Sequence, residues 1–131
     1  MGAMTTVLAL AATAEGATGI ALFAYPPIVI RLLFGAEITG AGEAVSRVAG
    51  IALIGLGVAC WPNGSPRQPL RGMLTYGTLA ALYLVYLGVR GEAVGLLLWP
   101  AVAAHAILVV LLLRARSTEG TNPIPSGGGR Q

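Results

Sequence analysis

Aspartate and lysine are absent from this 131-residue chain, and cysteine and histidine occur once each. Without aspartate or lysine, neither an Asp-based catalytic triad nor a lysine Schiff base is possible. The single Cys60 excludes an internal disulfide and a cysteine metal cluster. One histidine cannot build an ordinary histidine-rich zinc or haem site. We therefore predict no metal site, and the sequence indicates no particular cofactor.

Charge is also scarce, because charged residues make up 10% of the chain and hydrophobic residues 56%. Soluble domains typically carry roughly 25% charged residues. The apolar residues here form long blocks, so the composition indicates lipid as the solvent. The net charge is +3. The arginines are dispersed among short connections and the C-terminal tail, which argues against a nucleic-acid partner.

Four apolar stretches are long enough to cross a bilayer, whose hydrocarbon core requires about 20 helical residues. The first stretch, residues 7–25, carries one carboxylate near its middle and ends at a pair of prolines. The predicted spans cover about residues 4–25, 44–61, 70–89 and 93–113. The sequence therefore predicts an all-α fold, in which residues 1–116 form one bundle of four transmembrane helices.

The segments between and after the spans have distinct patterns. Pro26 and Pro27 interrupt regular helix, because proline lacks an N–H group and restricts the residue before it. Residues 28–34 are too short to span a bilayer, which is typical of a segment lying at the membrane interface. Pro100 falls inside the predicted fourth span and is expected to kink it unless neighbouring groups pair with the freed carbonyl. The composition of residues 117–131 predicts a disordered tail.

The N-terminal stretch has a second interpretation as a cleaved signal peptide, because residues 12–14 have a small-x-small pattern. Residues 1–6 contain no lysine or arginine, and the apolar run continues beyond Glu15, so we expect a mature helix. More arginines lie on the side of the two termini than on the opposite side. The positive-inside rule therefore predicts cytoplasmic termini in an inner membrane.

Of the polar side chains within the predicted spans, we single out four: Glu15, Arg47, Tyr83 and His105. A helical rise of about 1.5 Å per residue places Glu15, Tyr83 and His105 near the bilayer midplane on three different helices. Because a charge at the bilayer centre costs roughly 2.5–3.5 kcal/mol, Glu15 should face the interior. There it would be protonated, or paired with Arg47 or His105. Arg47 could instead extend toward water.

These four residues are our candidates for a ligand-binding or proton-handling site. Their pocket could bind a polar head group, a quinone or a cation, or could pass protons. The alternative interpretation is that they hydrogen-bond one another and only fix helix packing. Glycines at Gly50 and Gly57 share one face and should let a neighbouring helix approach closely. Cys60 is expected to be a small packing residue near a helix end.

The segment SRVAGIALIGLG at residues 46–57 follows a first helix that contains an intramembrane acid. In this respect the chain resembles small bacterial four-helix membrane proteins of the DoxX-like kind. The likeness covers the hydropathy of residues 4–113, and its motif is an arginine followed by glycine-spaced apolar residues. The resemblance implies a small bacterial inner-membrane protein; some members of that group are associated with membrane redox systems.

A second resemblance is to small multidrug-resistance transporters. Ala14 and Glu15, in the middle of the first of four short helices, are similar to the part of those proteins that holds an essential membrane carboxylate. The chain departs from them in the segment at residues 28–43 and in having tyrosines in the third span. This resemblance implies proton-coupled transport.

Three functions stay open from the sequence. The first is an accessory or ligand-binding membrane component, whose partners are the lipid bilayer and either a second copy or another membrane protein. The second is a proton-coupled carrier of small cations that uses Glu15. The third is a membrane enzyme acting on a lipid-soluble substrate, with Glu15 or His105 as acid and base. No residue is assigned a catalytic role.

Overall fold

The computed structural model describes residues 2–64, 67–92 and 95–119, and this part of the chain is helical apart from its connections. The helices are α1 (Ala3–Ala24), α2 (Pro26–Phe34), α3 (Ala41–Ala59), α4 (Arg67–Arg90) and α5 (Leu98–Glu119). Four of them, all except α2, are long and apolar enough to cross a membrane. The predicted all-α fold with four helices of membrane-spanning length is confirmed, and it indicates a multi-pass membrane protein.

The last helix differs most from its predicted bounds. It begins at Leu98 and continues to Glu119, so its first residues and last residues both lie later than expected. Pro100 therefore occupies the first turn, where an N–H group would have no helical partner, and the predicted kink within a span is wrong. Residues 117–119 are helical, and the rest of the predicted disordered tail lies outside the described residues.

The helices pack as two pairs, with α3 on α1 and α5 on α4. Helix α1 also contacts α4 and α5, which joins the pairs. Among the described residues, α3 and α4 are not packed against each other along their lengths. They approach at their connected ends, where a Cβ atom on Gly72 would lie 3.3 Å from Cys60 Sγ. The space between α3 and α4 therefore widens toward the end of the bundle where α2 lies.

Glycines bring α1 and α3 together. A Cβ atom on Gly19 would lie 2.6 Å from the carbonyl oxygen of Gly50, and one on Gly50 would lie 2.7 Å from the carbonyl oxygen of Gly19. A Cβ atom on Gly57 would lie 2.7 Å from the carbonyl oxygen of Ala12. Any side chain at these positions would force the two backbones apart. The predicted packing role of Gly50 and Gly57 is confirmed, with α1 as their partner.

The main hydrophobic core lies at the end of the bundle that holds the start of α1. Its buried members come from α1, α4, α5 and the end of α3: Met4, Leu8, Ala11, Ala12, Cys60, Leu70, Met73, Leu112 and Ala115. Cys60 is 4% exposed, which confirms its predicted packing role. The opposite end has a smaller buried cluster of Leu84 and Leu98. One end of the bundle is therefore tightly filled, and the end near α2 is not.

Candidate functional site

Glu15 lies on the buried face of α1, just beyond the main core. The buried positions of this helix recur every three or four residues: Met4, Leu8, Ala11, Ala12, Glu15, Gly19 and Leu22. This spacing keeps one face of a helix against its neighbours. Glu15 is 5% exposed, so the prediction that its carboxylate faces the interior is confirmed.

The imidazole of His105 on α5 faces this carboxylate. His105 Nε2 lies 3.5 Å from Glu15 Oε1, and the His105 side chain is 18% exposed. The other ring nitrogen, Nδ1, lies 2.8 Å from the carbonyl oxygen of Ala101, one turn earlier in α5. Because a carbonyl oxygen only accepts, Nδ1 carries a proton and donates it. Nε2 is the ring nitrogen that faces Glu15, and it is buried without a hydrogen-bond partner among the described residues.

Glu15 and His105 together favour holding one proton between them. With one shared proton, the pair is either a neutral acid beside a neutral imidazole or a carboxylate beside an imidazolium, and its net charge is zero. Removing that proton leaves a buried carboxylate facing a lone pair, and adding a second leaves a buried cation. Both states are costly in a medium of low dielectric constant. One proton on the pair, with a net charge of zero, is therefore the least costly state.

Tyr76 on α4 is the third polar member of this cluster, and sequence reasoning did not single it out. Its ring centroid lies 6.0 Å from that of His105, at an interplanar angle of 54°. Its hydroxyl lies beside the Glu15 carboxylate. Three tyrosines occur in α4 at helical spacing, so only the register of α4 against α1 distinguishes Tyr76. That register depends on packing and has no local sequence signal.

Tyr83 occupies a different position from the one expected of a cluster member. It lies two turns beyond Tyr76 and is 61% exposed. Its ring stacks on that of Tyr86, with centroids 6.4 Å apart. The guanidinium of Arg90 lies over the Tyr86 ring, 5.5 Å from its centroid. Tyr83 thus lies on the wall of the cavity described below, away from the Glu15–His105 pair.

Arg47 does not join the cluster. Its Nη2 atom lies 3.4 Å from Oε2 of Glu43, one turn earlier in α3, and its side chain is 46% exposed. The pairing of Glu15 with Arg47 that the sequence allowed is therefore not formed. A partner four residues away on the same helix face is always within reach, and the long side chain lies along the exposed surface.

A cavity of about 570 Å³ lies next to the Glu15–His105 pair, where α3 and α4 diverge. Ligand cavities commonly measure roughly 300–1,000 Å³. Its walls are mostly apolar and come from all five helices. Polar groups lie at Glu15, Thr18, Ser46, Tyr76, Tyr83 and His105. Helix α2 contributes Val29, Ile30, Leu33 and Phe34. None of the described residues that line the cavity is an arginine.

No protein-family model, curated protein or solved structure matches this chain. Fold and site together therefore define its class: a small all-α protein with four helices of membrane-spanning length and a buried Glu–His pair beside an open cavity between the helices. Among the described residues, no group of three or more histidine, cysteine or glutamate side chains is placed to hold a metal ion.

Proposed function

We propose that this protein binds an amphipathic, lipid-soluble molecule within the membrane. The apolar part of the ligand would occupy the cavity between α3 and α4, and its polar head group would contact the Glu15–His105 pair. The observation that carries this proposal is the position of the pair, which lies at the inner end of a cavity of about 570 Å³. A purely structural pair would not need such a cavity beside it.

The packing of the helices supports entry of the ligand from the bilayer. Helices α3 and α4 are not packed together along the described part of their lengths, so the cavity is flanked by a gap between two membrane-spanning helices. Close glycine contacts fix α3 against α1, which gives the cavity one rigid wall. A lipid-soluble ligand could therefore enter sideways, without passing the tightly packed end of the bundle.

We place the protein in a bacterial inner membrane as an accessory component, with both termini in the cytoplasm. Arginines near the tightly packed end outnumber those at the end near α2, which supports this orientation. The bilayer would be its solvent, and a second copy or another membrane protein is its proposed partner. The resemblance to DoxX-like proteins agrees with this proposal and adds no ligand to it.

A proton-coupled carrier of small cations is the second candidate. The asymmetry of the bundle favours this candidate. Glu15 lies between a filled end and a cavity, which is the arrangement expected of an ion site that is open to one side only. This candidate requires that Glu15→Gln abolish uptake driven by a pH gradient in proteoliposomes. Absence of uptake by wild-type vesicles across a panel of cations would eliminate it.

The proposed binding site is tested by filling the cavity. Ala49 and Ala52 are exposed alanines on α3, but only Ala49 lines the cavity. We expect Ala49→Phe to remove lipid-soluble molecules that copurify with the wild-type protein, as identified by mass spectrometry of organic extracts. The matched Ala52→Phe variant should retain them, because its side chain points elsewhere. Equal retention by both variants would contradict the proposal.

A further inference from the structure

The polar groups around the cavity restrict the charge of its ligand. Among the described lining residues there is no arginine, and the chain contains no lysine. The one cation that the site can form is protonated His105, and it would be paired with Glu15 at 3.5 Å. An anionic head group, such as a carboxylate or a phosphate, would therefore lie in the cavity without a free counter-charge, which disfavours its binding.

The affinity for a cationic head group is limited for a different reason. While the pair holds its shared proton, its net charge is zero and it attracts a cation only weakly. A cation would bind well only after that proton had left, so its affinity would rise about tenfold for each pH unit. An uncharged head group can bind without loss of the shared proton from the pair.

The hydrogen-bonding capacity of the pair indicates the kind of uncharged group. A carboxyl group has about four lone-pair positions, and His105 and the Tyr76 hydroxyl can occupy at most two of them. The Nδ1 atom of His105 already donates to Ala101. The Glu15 carboxyl group, at the inner end of the cavity, therefore has unused acceptor positions. A ligand that donates a hydrogen bond would occupy one of them.

We propose that the cavity selects an uncharged amphiphile with a hydroxyl donor, such as a lipophilic phenol or alcohol, which donates to the Glu15 carboxyl group. This inference depends on the proposed ligand-binding function and names its substrate class. Methylation of the hydroxyl removes the donor and leaves the shape of the ligand nearly unchanged. A site built to pair with a hydroxyl rejects analogues that lack it, by about tenfold or more.

Binding of such a ligand leaves the net charge of the site unchanged. The titratable groups close to Glu15 are Tyr76 on α4, His105 on α5 and Cys60 at the end of α3. Phenol and thiol groups are uncharged near neutral pH, so only the Glu15–His105 proton matters. The cavity-lining residues of α2 are apolar, and Glu43 and Arg47 pair with each other outside the cavity. A neutral ligand leaves the shared proton in place.

Four probes that share a para-octylphenyl tail test this inference: para-octylphenol, its methyl ether, protonated para-octylbenzylamine and para-octylbenzoate. Their affinities would be measured by calorimetry on full-length protein in lipid nanodiscs, with empty nanodiscs as the partition background. We expect the phenol to bind about tenfold or more tightly than the other three. Ala49→Phe should abolish this binding.

Substitutions of Glu15 distinguish hydrogen bonding from charge. Glu15→Leu should weaken binding of the phenol about tenfold or more, and Glu15→Gln should restore most of it, because the amide oxygen still accepts a hydrogen bond. A preference for the amine, the ether or the benzoate would overturn this inference. If Ala49→Phe removed that preference, the proposed binding function would remain intact. Identical binding of every probe to wild-type protein and Ala49→Phe would overturn the binding function itself.

Discussion

At the scale of single residues, the contact between Glu15 and His105 lowers the energetic cost of placing ionisable groups in an apolar bundle. Each would be costly as an isolated charge, and at a separation of 3.5 Å one proton leaves the pair with no net charge. The carbonyl oxygen of Ala101 fixes which nitrogen takes part, since it accepts from Nδ1 at 2.8 Å. The pair is therefore oriented by the backbone of α5 as well as by packing.

This arrangement predicts energetic coupling between the two side chains. Glu15→Leu and His105→Leu should each lower the free energy of unfolding, because each leaves one buried polar partner unpaired. The double variant should lose less than the sum, with a coupling of about 1–3 kcal/mol. The measurement is a double-mutant cycle in mixed micelles.

The matched control for the cycle is the exposed pair of Glu43 and Arg47. Its coupling should be below about 0.5 kcal/mol, because solvent screens a pair whose side chains are 46% and 30% exposed. Strict additivity of the Glu15 and His105 substitutions would contradict the proposed contact.

Depth along each helix placed Glu15 and His105 at the same level of the bilayer, so their contact was one of the alternatives that the sequence allowed. It could not predict that Arg47 stays apart, since its choice between Glu43 and Glu15 depends on how α3 is rotated. It also could not identify Tyr76 among the tyrosines of α4. In both cases the deciding quantity is helix rotation and register, which belongs to packing and not to local sequence.

At the scale of helices, apolar length predicts the spans well and their ends poorly. The late start of α5 has a tertiary cause: the N–H group of Leu97 donates to the carbonyl oxygen of Leu32 at 2.8 Å. A Cβ atom on Gly95 would overlap the backbone of Leu33, so only glycine permits this approach. These contacts with α2 keep residues 95–97 out of the helix, and no pattern within α5 indicates them.

The α1–α3 interface gives a prediction at this scale. Gly19→Ala should destabilise the protein by about 1–3 kcal/mol, because the added Cβ atom would lie 2.6 Å from a backbone oxygen of Gly50. Gly16→Ala is the matched control, since nothing lies within 4 Å of a Cβ atom there. Both changes alter helix propensity equally, so thermal unfolding of the two variants isolates packing. Equal midpoints would show that the helices do not approach this closely.

At the scale of the whole molecule, the bundle has a filled end and an end with a cavity, and the Glu15–His105 pair lies between them. The sequence predicted four spans and a polar pocket, but not this asymmetry. The asymmetry arises because α3 packs on α1 and α4 packs on α5, while α3 and α4 diverge in the described residues. Which faces pair in a bundle is a property of all its helices together.

The orientation of the bundle in the membrane is a prediction at the same scale. Alkaline phosphatase fused after residue 119 should be inactive in bacteria, because the positive-inside rule places that end in the cytoplasm. The matched fusion after Arg90, at the end of α4, should be active. Green fluorescent protein should give the opposite pattern. The reverse result for both reporters would invert the proposed orientation.

The most direct measurement of the central claim is nitrogen-15 NMR of the imidazole in lipid bilayers, because the chain contains one histidine. We expect a protonated Nδ1 atom, as its hydrogen bond to Ala101 requires, and an Nε2 resonance that moves in Glu15→Gln and stays unchanged in Glu43→Gln. An Nε2 resonance that ignores Glu15 would contradict the account, since His105 would then have no carboxylate beside it.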